Sequence, residues 1–347
     1  MQKLLFPLLL VLTFAACKDD DPVQPTADFK TELTNSANVI LTTYKNLDDR
    51  TADLVAALTA LETAPSEANL AAARQAWRDA RVPWEQSEGF LFGPVDQQGI
   101  DPAMDSWPVN EVDLENVLNS GLALTKDYID VQEGTVKGFH TIEFLIFGLD
   151  GQKEVADFTV REFEYLRACA QSLRGETTKL HTAWVSGGGN FISNLVNAGE
   201  ATSIYPSQKA ALQELVNGMV TIADEVANGK INDPFSQQNV TLEESRFSAN
   251  SKADFADNMR SIRNIYRGSL SGTVVAGLSS LVTAKNATLD QKISADIEAA
   301  ITAIEAIPGT FTTAIFEQQA AVQTAQNAVR DLQETLQAEL LPFIQNL

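Results

Sequence analysis

Only two histidines and two cysteines occur in 347 residues, against 46 acidic side chains and 25 lysines and arginines. Each scarcity closes off some chemistry. Two cysteines cannot build a thiolate zinc site, and one of them, Cys17, follows an apolar N-terminal run. If that residue is lipidated, Cys169 stands alone and the folded part has no internal disulfide. Cys169 shares helical spacing with Phe163, Leu166 and Leu173, where a free cysteine packs as a small apolar side chain. No His-Glu-x-x-His is present, so the usual helix offering two zinc imidazoles and a general base is missing. The net charge of −21 argues against nucleic acid and against adsorption on anionic membranes. Sustained apolar–polar alternation is also lacking, and abundant Ala, Leu, Glu and Gln favour helices over strands.

The N-terminus reads as an export signal. Lys3 supplies the positive region, Leu4 to Phe14 the apolar core, and Ala15-Ala16 the small residues before Cys17. That core is too short and wrongly flanked to span a bilayer. Small residues ending at a cysteine resemble a bacterial lipobox, with Phe14 where Leu is usual. Residues 1–16 are therefore expected to be a lipoprotein signal peptide and residues 17–26 a tether lipidated at Cys17. Its acyl chains would hold the protein on a membrane without a spanning helix. Lys18-Asp19-Asp20-Asp21 resembles the acidic tethers of bacterial surface lipoproteins. The expected location is the cell envelope, at the periplasmic or surface face of the outer membrane.

The remaining chain, about 320 residues, exceeds a typical single core and suggests two units, residues 27–200 and 201–347. Ala27 to Ala64 reads as one or two helices stopped by Pro65, and Ser66 caps a helix in which Pro83 forms a kink or restart. Asp96–Pro108 reads as a long loop and Asn228–Gln238 as a polar loop. Helices are expected over Glu111–Leu118, Gly134–Phe147, Val160–Val185, Ser207–Val226, Ser251–Tyr266, Asp290–Ala306 and Phe316 to the C-terminus, with Ser251 as a cap. So many helices with short connections point to an all-α fold of two four-helix-bundle-like halves.

The richest local pattern is Gly138-Phe139-His140-Thr141-Ile142-Glu143. On a helix, His140 and Glu143 project from one face and could reach one cation. Imidazole with carboxylate suits a hard or borderline metal ion. Two ligands do not complete a site, and His181 has no acidic residue three or four positions away, so it reads as a helix-surface histidine. Further ligands must then be carboxylates, and Glu85 and Glu88 repeat the i,i+3 spacing just after Pro83. They are candidate ligands, or else partners of Arg78 and Arg81. A mostly oxygen shell with one imidazole suits iron or manganese better than structural zinc. Arg246 could brace a carboxylate or hold an anionic ligand, with Ser248 beside it. Trp77, Phe90, Phe92, Phe139, Phe144 and Phe147 read as core packing.

The Gly-x-His-x-x-Glu pattern resembles the signature of the imelysin family. Two further blocks are similar to that family: Trp77-Arg78-Asp79-Ala80-Arg81-Val82-Pro83-Trp84-Glu85, continuing to Gly93, and Glu244-Ser245-Arg246-Phe247-Ser248, leading into Phe255. The resemblance implies an all-α fold of two bundle-like halves, with the His140 motif near their junction. Three functions stay open. The first is a lipid-anchored protein that binds a metal ion, iron favoured with zinc or manganese possible, and works with envelope iron-uptake components. A second is a non-enzymatic recognition module taking a small anionic ligand or peptide through Arg246 and His140. The family's older name suggests a third, a metallopeptidase, for which no residue is marked as the base. Replacing Cys17→Ser should turn a detergent-soluble membrane protein into a soluble or unprocessed one. Unchanged fractionation, with no acyl mass on the mature N-terminus, would remove the lipoprotein reading.

Overall fold

Leu33, Ala37, Ile40, Tyr44, Leu47, Leu54, Leu58 and Leu61 recur at helical spacing and form the buried face of a single helix, α1 (Lys30–Thr63). The computed structural model describes residues 28–347 apart from 272 and 274, so the signal peptide and the whole tether with Cys17 lie outside the described residues. Pro65 ends α1, and the Ser66 hydroxyl accepts the Asn69 N–H at 3.3 Å to start α2 (Glu67–Glu85). Helix α2 runs unbroken through Pro83, so the proline does not restart it; its missing N–H leaves the Asp79 carbonyl without a helical donor in the last turn.

The segment expected as a long loop folds into α3 (Pro94–Gln97) and α4 (Ile100–Met104) before an irregular stretch carries Asp105 and Trp107. Then come α5 (Glu111–Asn119) and α6 (Lys126–Asp130). The helix expected over Gly134–Phe147 is broken: a 3₁₀ turn at Gly134–Val136 precedes α7 (Gly138–Phe147). Next are α8 (Val160–Trp184), α9 (Ile192–Val196) and α10 (Gln208–Glu225).

The supposed polar loop after α10 is helical too, as a π-turn at Val226–Lys230 and α11 (Asn232–Gln237). The helix α12 (Ser251–Arg267) begins after Asn250. Ser251 is therefore not its cap, and its hydroxyl instead donates to Glu243 at 2.7 Å. The chain continues through α13 (Leu278–Lys285) and α14 (Ala287–Glu305), the helix expected over Asp290–Ala306. It ends through α15 (Phe311–Glu317), α16 (Gln319–Thr335) and α17 (Leu341–Gln345), where a single helix from Phe316 was expected.

Helices α1, α2, α7 and α8 pack on one another, and α10, α12, α14 and α16 form the second group. The fold is all-α, and no strand occurs among the described residues. Of the aromatics expected in the core, Trp77, Phe90, Phe92, Phe139 and Phe147 are buried and Phe144 is partly so. Cys169 is a buried free thiol, and burial pushes its ionisation far up. Among the described residues no helix is long and apolar enough to cross a membrane.

The two groups meet where α12 packs on α2, and where the turn Glu88–Phe90 packs between α10 and α12. Glycine makes that approach possible. A Cβ at Gly218 would collide with the Gly89 carbonyl, and one at Gly89 with the Ser261 hydroxyl at 2.6 Å. Helix propensity alone would favour Gly218→Ala by about 1 kcal/mol. Overpacking against fixed backbone costs about 1–3 kcal/mol and should win. Gly218→Ala is expected to lower the denaturation midpoint; a raised midpoint would show that the junction is looser than described.

Candidate functional site

Gly138 shows why the motif begins with glycine. Its φ is +75°, and a Cβ there would strike the Met104 carbonyl. The close approach brings the Asp105 stretch against the start of α7. Two residues on, His140 is buried with its Nε2 3.1 Å from Asp105 Oδ1. The ring N–H is not aligned for a hydrogen bond there, and Nε2 has no hydrogen-bond partner among the described residues. Its Nδ1 lies 3.0 Å from Glu143 Oε2. The other Glu143 oxygen accepts the Ser248 N–H at 2.8 Å and the Ser248 hydroxyl at 2.7 Å. Ser248 belongs to the loop before α12, and Arg78 donates to its carbonyl at 3.2 Å. The second half of the chain thus holds the glutamate that orients the histidine of the first.

Arg81 is the centre of the cluster. Its fully buried guanidinium pairs with Glu85 and Asp105, with Glu244 at 3.0 Å and with Asp254 at 3.4 Å. Asp105 also accepts the Trp84 indole N–H at 2.6 Å. The second cation is Lys230, equally buried, 2.7 Å from Glu88, 3.1 Å from Glu244 and 3.6 Å from Glu85. Asn258 on α12 donates to Glu85 at 2.6 Å and to Glu88 at 3.0 Å. Over this assembly lies the part-exposed Trp107, its ring centre 6.3 Å from the His140 ring and 5.2 Å from the Lys230 ammonium.

Six carboxylates, those of Glu85, Glu88, Asp105, Glu143, Glu244 and Asp254, therefore share this interior with three basic groups, Arg81, Lys230 and His140. The imbalance shifts their proton affinities. Burial, with Glu244 close by, pushes the Glu85 carboxyl well up despite Arg81. Burial and the neighbouring Glu85 do the same to Glu88, against Lys230. Burial also lifts Asp254 to about 6 despite Arg81. Asp105 is held down because Arg81 and His140 outweigh its burial. For His140, burial opposes the charged ring, but Asp105 and Glu143 prevail and raise it to about 10.

Asp105, His140 and Glu244 each bring one ligand atom within 4.8 Å of the others, as do Glu85, Glu88, Asp105 and Glu244. Of the candidates read from sequence, His140 falls in the first set and Glu85 and Glu88 in the second, the two sets sharing Asp105 and Glu244, while Glu143 falls in neither. Glu85 and Glu88 do not share one helix, since α2 ends at Glu85 and Glu88 opens a 3₁₀ turn. The alternative of a partnership with Arg81 holds for Glu85. Arg246 does not brace the cluster: its ion pair is with Glu111, at a surface depression lined also by Pro108, Val109 and Thr135. His181 is only part-covered, 3.8 Å from Asp48.

Sequence reasoning missed Asp105, Lys230, Glu244, Asp254 and Asn258 as members of the site. Asp105 and Lys230 lie in segments read as loops. Asp254 and Asn258 sit four apart on α12, whose buried side also carries Ser251, Asp257, Ser261 and Asn264, and that run of polar residues at helical spacing was a usable signal. Two unpartnered buried oxygens cluster here, Glu244 Oε2 and Asn258 Oδ1, near the His140 Nε2 that faces Asp105. Buried polar atoms are normally satisfied, so unpartnered acceptors amid surplus carboxylates fit a cation.

A two-bundle helical protein with one imidazole among buried carboxylates at the bundle junction defines a recognisable class. The imelysin family model matches residues 40–338, and the chain belongs to that family. It is 34% identical over 312 residues to iron-regulated protein A of Synechococcus elongatus, covering 88% of this chain and 84% of that one. A crystal structure described as an iron-regulated protein A precursor from Parabacteroides distasonis superposes with a TM-score of 0.82 at 27% identity, over 91% of this chain and 96% of that one. An imelysin-like protein from Psychrobacter arcticum shares the fold, with a TM-score of 0.75 at 14% identity, over 91% of this chain and 95% of that one.

Arg81 gives the sharpest test of the network. Arg81→Met leaves four carboxylates without their shared partner, and breaking a buried pair costs about 3–5 kcal/mol. The expected result is a large fall in urea midpoint at neutral pH. A midpoint within error of wild type would show that the carboxylates do not depend on the guanidinium.

Proposed function

We propose that this protein is an extracytoplasmic lipoprotein that binds a divalent metal ion, iron favoured, and serves iron acquisition. The observation that carries the reading is His140. One ring nitrogen is engaged by Glu143, and the other is buried without a hydrogen-bond partner beside Asp105 and within reach of Glu244. A carboxylate behind a histidine is the usual way to set the tautomer and direction of a metal-binding imidazole. On this reading His140, Asp105 and Glu244 would hold the ion, Glu85 and Glu88 would line the adjoining carboxylate group, and Glu143 with Ser248 positions the ring. A bound ion supplies the positive charge that the cluster lacks. One imidazole with several carboxylates suits Fe(II) or Mn(II) better than structural zinc. The name of the Synechococcus relative supports iron.

Burial favours binding over peptide hydrolysis. Glu85, Glu143 and Arg81 are 0% exposed and His140 is 1% exposed, so the cluster admits an ion more readily than a polypeptide. Recognition of a small anion by Arg246 would use the surface depression instead, in competition with Glu111. Anaerobic calorimetric titration with Fe(II), Mn(II) and Zn(II) tests the metal reading. Wild type should bind, His140→Ala should lose measurable binding, and Glu143→Gln should weaken it about 10–100-fold. Equal affinity in all three proteins would discard His140 as the ligand.

A further inference from the structure

Lys230 is an ammonium in a place built for an ion. It sits at the end of a π-turn, a distortion that recurs at functional sites, and reaches into the Glu85–Glu88–Asp105–Glu244 group. The four ligand oxygens lie within 4.8 Å of one another. Oxygens bound to one divalent ion at about 2.0–2.2 Å stand at most about 4.4 Å apart, so little closure is needed. Asn258 points its amide N–H groups at Glu85 and Glu88, while its own Oδ1, fully buried, has no partner. Glu244 spends one oxygen on Arg81 and Lys230 and leaves the other unpartnered. The group therefore has acceptor oxygens to spare with the ammonium in place.

We propose that Lys230 is an internal stand-in cation, occupying a second cation seat formed by Glu85, Glu88 and Glu244 and yielding it when a divalent ion enters. This deepens the metal-binding reading and rests on it for the role of the neighbouring His140 group. The exchange is chemically even-handed. A singly charged ammonium on a four-carbon stem is mobile and strongly hydrated, so it can leave without breaking the backbone. Glu225, one π-turn earlier and part-exposed, is a carboxylate already acting on Lys230 and offers it a partner outside the cage. Gln326 holds the turn itself, donating to the Ala227 carbonyl at 2.9 Å and to Asn232 at 3.1 Å, so the side chain can move while its base stays put. Lys230 then restrains metal affinity: an arriving ion must replace a cation rather than fill a void.

The test compares Mn(II) and Zn(II) binding by wild type, Lys230→Met and Lys230→Met/Glu88→Gln. Lys230→Met should bind the ion at the Glu85–Glu88–Glu244 seat about 10–100-fold more tightly than wild type, and adding Glu88→Gln should abolish the gain. If wild type binds and Lys230→Met gains nothing, the stand-in role is overturned while the metal reading stands. Should wild type bind no ion but Lys230→Met bind one that Glu88→Gln removes, the stand-in role holds and the wild-type metal reading falls. No binding by any of the proteins removes both. Amine-acetylation footprinting of the wild-type chain covers the case in which Lys230→Met fails to fold. Lys230 should be protected without metal and labelled several-fold more once Mn(II) is bound; continued protection in the metal-bound protein would overturn the exchange.

Discussion

Negative charge in excess of positive charge, sealed inside the bundle junction, is the constraint on which the rest of the structure depends. Removing one ion from water costs several kcal/mol even after the protein relaxes. Here Arg81 and Lys230 answer carboxylates from α2, the turn after it, the Asp105 stretch, the Glu244 loop and α12. A network of this kind adds little net stability over a well-packed apolar core. Its effect is positional, because each acid is satisfied in only one arrangement of the two halves.

Docking and site formation are consequently one event. Glu143 and His140 lie on α7 in the first group of helices, but the Ser248 amide and hydroxyl that hold Glu143 come from the loop leading into α12. Asn258 reaches from α12 to the end of α2, where it bonds the Glu85 carboxylate and its backbone carbonyl. Neither half alone presents the imidazole at a defined angle. The glycines at 89, 138 and 218 serve the same end by letting backbone come close where a side chain would hold it off.

Much was legible without coordinates. The periodicity of α1, α8 and α10, the Ser66 cap and the helical class all follow from local rules, and the three sequence blocks mark the polar centre. The errors share a cause. Asp96–Pro108 and Asn228–Gln238 are rich in residues that favour turns, and their short helices form because packing rewards them, not because of propensity. Reading those segments as loops hid Asp105 and Lys230. Glu85 and Glu88 were found for an incomplete reason: they belong together through Asn258 and Lys230, although the helix face expected to unite them ends between the two.

The sequence by itself determined the helical class and most of the long helices, because helix periodicity, capping and residue chemistry act over a few neighbouring positions. Tertiary structure alone decided which polar groups meet and what each does there. Glu143 lies three residues from His140, yet its second oxygen is held by Ser248, 105 positions away, and Arg81 meets Asp254 across 173 positions. Such pairings depend on burial and on the docking of separate helices, and no local pattern encodes the distance between them.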